Sequence, residues 1–174
     1  MSDELAALGR DLVDVAVLRG SFVLRSGQTS SYYIDKYRFT TRPRLLKALG
    51  VELARRLPAD TQRVAGPVLG AVALATAVSL ESGLPSLMVR DAAKEYGTAQ
   101  LIEGLLEPGD RVTVVEDIVT TGGAALQAVH TLRAAGAQVL GVIAVVDREQ
   151  GGPAAFADAG VAFQALFTSG QLGL

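Results

Sequence analysis

The segment Arg111 to Ala124, RVTVVEDIVTTGGA, constrains the fold of this chain more than any other. The valine-rich run Val112–Val115 reads as a strand with no solvated face, the pattern of a buried parallel sheet. Two carboxylates, Glu116 and Asp117, stand at its end, and Thr120, Thr121, Gly122 and Gly123 form a turn directly before a helix. In open α/β sheets ligands bind beyond the carboxyl ends of the strands. Unpaired amides and the helix dipole at a helix start attract anions. Carboxylates can accept hydrogen bonds from two ribose hydroxyls while the turn holds a 5′-phosphate, so the segment predicts a site for a phosphorylated ribose. Neither the GxGxxG of a dinucleotide fingerprint nor the GK[ST] of a Walker loop follows the strand. An acidic pair that caps a helix, or a glycine pair that only turns the chain, is common singly; the whole string carries the prediction.

The flanking sequence alternates in the same way. Leu5, Leu8, Leu12, Val15 and Leu18 recur at helical spacing and predict an opening amphipathic helix stopped at Gly20. Phe22–Leu24 and Tyr32–Ile34 are short β-prone runs around Ser26-Gly27-Gln28, a hairpin or irregular hood whose aromatic and basic residues can cover a ligand. After Pro43, a stripe of Leu45, Leu46, Leu49, Leu53 and Leu57 predicts a helix that ends before Pro58. Val64-Ala65, a helix through about Leu80 and Leu87–Val89 make one strand-helix-strand unit. Val112–Val115, Ala124–Ala135 and Gln138–Val146 make a second, with Gly136 closing its helix. This alternation predicts an α/β fold with a mostly parallel central sheet and helices on both faces, in one domain at this length. Between the units, Asp91–Asp110 is polar and contains Gly97, Gly104 and Pro108-Gly109, a long connection of the kind that makes lids.

Composition removes several function classes. Sixteen basic against eighteen acidic residues give a formal net charge of -2, so no global attraction to nucleic acid is expected. The chain has no cysteine and one histidine, His130, which excludes disulfides, thiolate metal sites and a three-histidine zinc site within one chain. His130 is read as structural. The N-terminal Asp3 and Glu4 stand where a secretory signal would be basic, and the longest apolar runs are shorter than a membrane span, so a cytoplasmic location and no membrane partner are expected.

VVEDIVTTGGA resembles the signature of the type I phosphoribosyltransferases: an apolar strand, two acidic residues, two apolar residues and a Thr/Gly-rich turn. With FVLRSGQTSSYYID, GLPSLMVRDAAKEYGT and VVDREQGG, the chain is similar to the orotate phosphoribosyltransferase family over most of its length. The resemblance implies a type I phosphoribosyltransferase-like fold, a small N-terminal hood from about 1–40 and a mobile loop at about 91–104. It further implies transfer of the 5-phosphoribosyl group from phosphoribosyl diphosphate to orotate, giving orotidine 5′-monophosphate and pyrophosphate in de novo pyrimidine (UMP) biosynthesis. Mg²⁺ is the implied cofactor, carried mainly by the substrate diphosphate without a dedicated protein metal site. The implied partner is a second copy of the chain, a homodimer whose mobile loop acts in the neighbouring site.

Residue by residue, the resemblance places Glu116 and Asp117 on the ribose hydroxyls and Ile118, Val119, Thr120, Thr121, Gly122, Gly123 and Ala124 around the 5′-phosphate. Thr120 would also lie beside the orotate ring. Arg90, Lys94 and Tyr96 are the implied catalytic residues, with Arg90 and Lys94 binding the diphosphate. Arg148 and Arg25 are the implied orotate-binding residues, Arg148 because a guanidinium grips a planar carboxylate with two parallel hydrogen bonds. The sequence also departs from the family pattern. Asp91 replaces a usual lysine, Tyr96 a usual histidine and Arg25 a frequent lysine, and Val68-Leu69-Gly70 stands where relatives can carry a lysine for pyrophosphate. Asp91 and Glu95 oppose Arg90 and Lys94, so the loop is less cationic than expected. Two other readings stay open: transfer to a different base, and a noncatalytic regulator that binds nucleotide or RNA.

Overall fold

In the computed structural model, which describes residues 2–23, 29–91 and 100–174, helix α1 (Asp3–Ala16) starts where Ser2 accepts a hydrogen bond from the Leu5 N–H at 3.3 Å. Asp3 and Glu4 in the first turn favour the positive end of the helix dipole. The helix stops at Ala16, short of the predicted Gly20. Val17 opens strand β1 (Val17–Val23), which pairs antiparallel with β2 (Thr29–Ile34), so Leu18 belongs to a strand. Gly20 lies inside β1, where the register shifts between Arg19 and Phe22. Cross-strand pairing outweighs the helical spacing of the leucines, because Val17, Leu18 and Arg19 find partners in Ile34, Tyr33 and Tyr32.

A short helix α2 (Lys36–Thr40), absent from the sequence expectations, follows β2 at once. Asp35 caps it by accepting from the Tyr37 N–H at 3.1 Å. Helix α3 (Pro43–Ala54) begins at the predicted proline. The chain then runs through β3 (Arg63–Pro67), α4 (Val72–Ser82), β4 (Ser86–Val89), β5 (Ile102–Glu103), β6 (Arg111–Val119), α5 (Gly123–Ala134), β7 (Gln138–Asp147), α6 (Gly152–Asp158) and β8 (Phe163–Thr168). Both strand-helix-strand units appear as predicted. Beyond Gln138–Val146 the sequence predicts no further element, whereas α6 follows and β8 adds an edge strand to the sheet. Their signals, seven helical and six strand residues, are too short to stand out as periodicity.

The central sheet has the order β5-β4-β3-β6-β7-β8, parallel throughout except for β5, which runs antiparallel to β4. The short β5 lies within Asp91–Asp110, which the sequence presents as a long connection of the lid-forming kind. Strand β6 lies at the centre between β3 and β7, and alternation along it divides the core. Val115 packs with Leu12, Leu49, Leu53, Leu74 and Val78 from α1, α3 and α4. Val112 and Val114 pack with Ala128, Val129, Leu132 and Phe156 from α5 and α6. Helices therefore cover both faces as expected, and the end of β6 opens at the middle of the sheet. No described helix is long and apolar enough to cross a membrane.

Candidate active site

Glu116 and Asp117 stay buried at the end of β6, 6% and 2% exposed, because neighbouring strands and helices enclose the central strand. Their backbone and side chains tie into one another. The Asp117 N–H donates to Glu116 Oε1 at 3.0 Å, and the Ile118 N–H donates to Asp117 Oδ1 at 2.6 Å. Burial, and then the negative charge of Asp117, pushes the Glu116 carboxyl up to about 8. In the free protein this shift favours the protonated form of Glu116.

The counter-charge is a residue that local sequence reading missed. Lys36, the first residue of α2, places Nζ 3.0 Å from Asp117 Oδ2. Burial opposes the lysine's charge, but the Asp117 carboxylate, by charge and by hydrogen bond, outweighs it and raises the ammonium above its ordinary value. The pair is packed against the connection between β3 and α4. A Cβ on Gly70 would collide with Asp117 Oδ2 and Lys36 Nζ, so glycine there lets the pair sit where it does. Nothing around Lys36 in the chain marks it as special; its approach to Asp117 depends on how α2 lies over the sheet.

Beyond Val119 the chain turns through Gly122, whose φ of 85° favours glycine, into α5. No side chain caps this helix, which leaves its first-turn N–H groups to solvent or a ligand. A cleft of about 40 Å³ is lined by Glu116, Ile118, Val119, Thr120, Gly122, Gly123, Ala124 and Ala125. Seven of these eight belong to the predicted donor set. Asp117 adjoins the cleft through its bond to Glu116, and Thr121 is exposed on the turn.

Arg148 sits at the end of β7 immediately beside the turn, its N–H donating to the Val119 carbonyl at 2.8 Å. It is only 8% exposed, its Nε has no hydrogen-bond partner, and no carboxylate among the described residues pairs with it. Its guanidinium carbon lies 4.7 Å from the centre of the Tyr32 ring on β2, a cation–π contact. The Tyr32 hydroxyl lies 3.3 Å from Ser169 Oγ, just past β8. Tyr32, itself anchored by Ser169, thus faces a buried cation without neutralising it, and neither residue stands out in the sequence.

Arg90 follows β4, its N–H donating to the Leu101 carbonyl at 2.8 Å, with NH1 4.0 Å from Glu103 Oε1. It is partly buried rather than a freely solvated charge. Arg25, Lys94 and Tyr96 lie outside the described residues. His130 is exposed on α5. Among the described residues no group of three or more acidic, histidine or cysteine side chains is arranged to hold a metal ion. The adjacent Glu116 and Asp117 carboxylates fit a cation that brings most of its oxygen ligands with a substrate.

A protonated Glu116 makes stability depend on pH. Its folded value lies above the ordinary value of 4.5, so between the two the folded state binds more protons than the unfolded one. Stability then falls as pH rises through that window. The Glu116→Gln variant, which keeps the carbonyl oxygen that accepts from Asp117, is expected to flatten this dependence and to be more stable than wild type near pH 8. Denaturant unfolding at pH 5.5 and pH 8 checks it; an unchanged slope would mean that Glu116 is ionised in the folded protein.

Buried carboxylates beside an uncapped helix start, with an arginine across the turn that no carboxylate among the described residues pairs with, could accept a ligand with hydroxyls, a phosphate and a separate carboxylate. Known proteins give this arrangement its setting. An orotate phosphoribosyltransferase of Halobacterium salinarum is 50% identical over 157 residues, 90% of this chain and 89% of its own. One from Methanocella arvoryzae is 47% identical over 157 residues, 90% of each chain. The Mycobacterium tuberculosis orotate phosphoribosyltransferase, solved in complex with 5-phospho-α-D-ribosyl 1-diphosphate, superimposes with a TM-score of 0.79 at 35% identity, covering 98% of this chain and 99% of that one. No protein-family model matches the chain.

Proposed function

Because the chain belongs to the orotate phosphoribosyltransferase family, we propose that the end of β6 binds phosphoribosyl diphosphate and that Arg148 selects orotate. The chain transfers the 5-phosphoribosyl group to orotate, releasing pyrophosphate and forming orotidine 5′-monophosphate, a step of pyrimidine biosynthesis. The observation that carries the assignment of residues is the buried, unneutralised Arg148 set beside the acid pair and the phosphate turn.

In the reaction, the bond from ribose C1 to the diphosphate oxygen breaks, a bond from C1 to an orotate ring nitrogen forms, and the proton of that nitrogen passes to the released pyrophosphate or to solvent. Positive charge builds on the sugar and negative charge on the leaving group. Glu116 and Asp117 hold the two ribose hydroxyls, and the 118–124 turn with the start of α5 holds the 5′-phosphate, so the ring is fixed at both ends while C1 moves between oxygen and nitrogen. Thr120 lies beside the base. Arg148 grips the orotate carboxylate, Tyr32 holding the guanidinium from one face, and Arg25 adds charge from the hood. Arg90 and Lys94 stabilise the departing diphosphate, and Tyr96 contributes a hydroxyl. Mg²⁺, bound through diphosphate oxygens with Glu116 and Asp117 nearby, would supply further neutralisation of the leaving group.

We further propose that the chain acts as one domain, residues 1–40 forming a hood and 91–104 a loop that reaches into the site of a second copy. The surface of α4 supports the second copy. On this helix Leu80 is 82% exposed, and Pro43, Leu46, Ala73 and Ala77 line a mostly apolar groove beside it, with Lys47, Thr76 and Glu81 at its polar points. A cytoplasmic setting suits a chain without cysteine.

The test is the loss of orotate absorbance when the purified chain meets phosphoribosyl diphosphate and Mg²⁺, with adenine, hypoxanthine, guanine and uracil run in parallel. Turnover of orotate alone is expected, and chelation of Mg²⁺ is expected to abolish it. Turnover of another base instead, or donor binding without turnover of any base, would overturn the assignment to orotate.

A further inference from the structure

The chain has three lysines, at positions 36, 47 and 94, and Lys36 is built into the acid pair. Its backbone is fixed at a helix start that Asp35 caps, its side chain remains 34% exposed, and Nζ stands 3.0 Å from Asp117 Oδ2. The ammonium and the carboxylate fill the space that a side chain on residue 70 would occupy. The connection beneath them, Val68, Leu69, Gly70 and Ala71, has no charged side chain of its own. Among the described residues, Lys36 is the one cation ion-paired to the acid pair.

Building on the donor site described above, we propose that Lys36 is a donor-binding residue that exchanges Asp117 for the diphosphate when phosphoribosyl diphosphate enters. The chemistry of the sugar sets the distances. The diphosphate leaves from C1, next to the carbon that carries the 2-hydroxyl, so a cation beside the carboxylate that takes the ribose hydroxyls is within one side-chain swing of the leaving group. In the free protein Lys36 neutralises Asp117. As the hydroxyls donate to the carboxylate, they take the place of its ion pair with the lysine. The ammonium, with three rotatable donors on a flexible stem, turns to the diphosphate oxygens. Negative charge grows on those oxygens as the bond to C1 breaks, so the contact strengthens toward the transition state.

A counter-ion that only holds Asp117 in place would affect all ligands of the acid pair, whereas a diphosphate ligand affects pyrophosphate in particular. Calorimetry on the full chain with Mg²⁺ separates the two, using pyrophosphate and ribose 5-phosphate as probes. Lys36→Met is expected to weaken pyrophosphate binding by roughly ten- to a hundredfold, the range of a hydrogen bond to a charged group. Ribose 5-phosphate should stay within about threefold, and Lys36→Arg should recover part of the pyrophosphate affinity. Pyrophosphate binding unchanged by Lys36→Met, or both probes weakened alike, would overturn the proposal. Lys36→Gln, uncharged and close in length, is read in the same way should the methionine variant fail to fold. A wild-type chain that binds neither probe defeats the donor site itself, and this role with it; one that binds both isolates the result to Lys36.

Discussion

Arg148→Leu is expected to lower kcat/KM for orotate by roughly a hundred- to a thousandfold, the range for truncating one partner of a buried charge pair. Most of that loss is the penalty of enclosing the orotate carboxylate with no cation opposite. Affinity for phosphoribosyl diphosphate should change little, because the acid pair and the turn do not depend on the guanidinium. Thermal stability separates this effect from unfolding. In the free protein Arg148 is buried and no carboxylate among the described residues pairs with it, so its removal relieves a desolvation cost and leaves no described anion stranded. The variant should melt at or above the wild-type temperature. Arg148→Lys keeps a charge but loses the two-pronged grip and the flat stacking face over Tyr32, and should recover only a small part of the rate. Steady-state kinetics with each substrate varied in turn decide the matter. An equal loss for both substrates would remove Arg148 from base selection.

The second large effect is expected at Asp117. Asp117→Asn keeps the oxygen that accepts from the Ile118 N–H but removes the charge that would hold a ribose hydroxyl. Donor affinity should fall by about a hundredfold, the upper end for a hydrogen bond to a charged group. The same substitution leaves Lys36 half-buried without its carboxylate. Since that carboxylate is what raises the lysine, the ammonium should titrate at lower pH in the variant. Activity of the variant should then decline at high pH sooner than that of wild type. Calorimetry with phosphoribosyl diphosphate and a pH series of kcat/KM read the two effects, and wild-type donor affinity in the variant would exclude Asp117 as a ribose ligand.

What could be read before folding was what the chain keeps contiguous. The buried strand, its two carboxylates, the glycine turn and the helix start follow one another from Arg111 to Ala124, so periodicity and turn chemistry located the cleft with nearly its full lining. Misreadings came where local preference met distant pairing. The leucine spacing that predicts a helix to Gly20 gave way at Val17, because β2 offers a partner strand. The edge elements α6 and β8 were missed because each is too short to announce itself and is held by its neighbours in the sheet.

The site divides along the same line. Sequence alone determined the strand, the acid pair and the glycine turn that line the cleft, because these follow one another in the chain, and it set Arg148 at the end of the next strand. Only the tertiary structure decided that Lys36 neutralises Asp117 across a glycine at position 70, and that Tyr32 and Ser169 steady Arg148 without cancelling its charge. The physical reason is that burial and counter-charge belong to neighbours in space. Asp117 acts on Glu116 from the next position in the chain, but the burial of both, the ion pair from Lys36 and the ring of Tyr32 beside Arg148 come from strands and helices far apart, and the packing of β2 and α2 over the sheet brings them together.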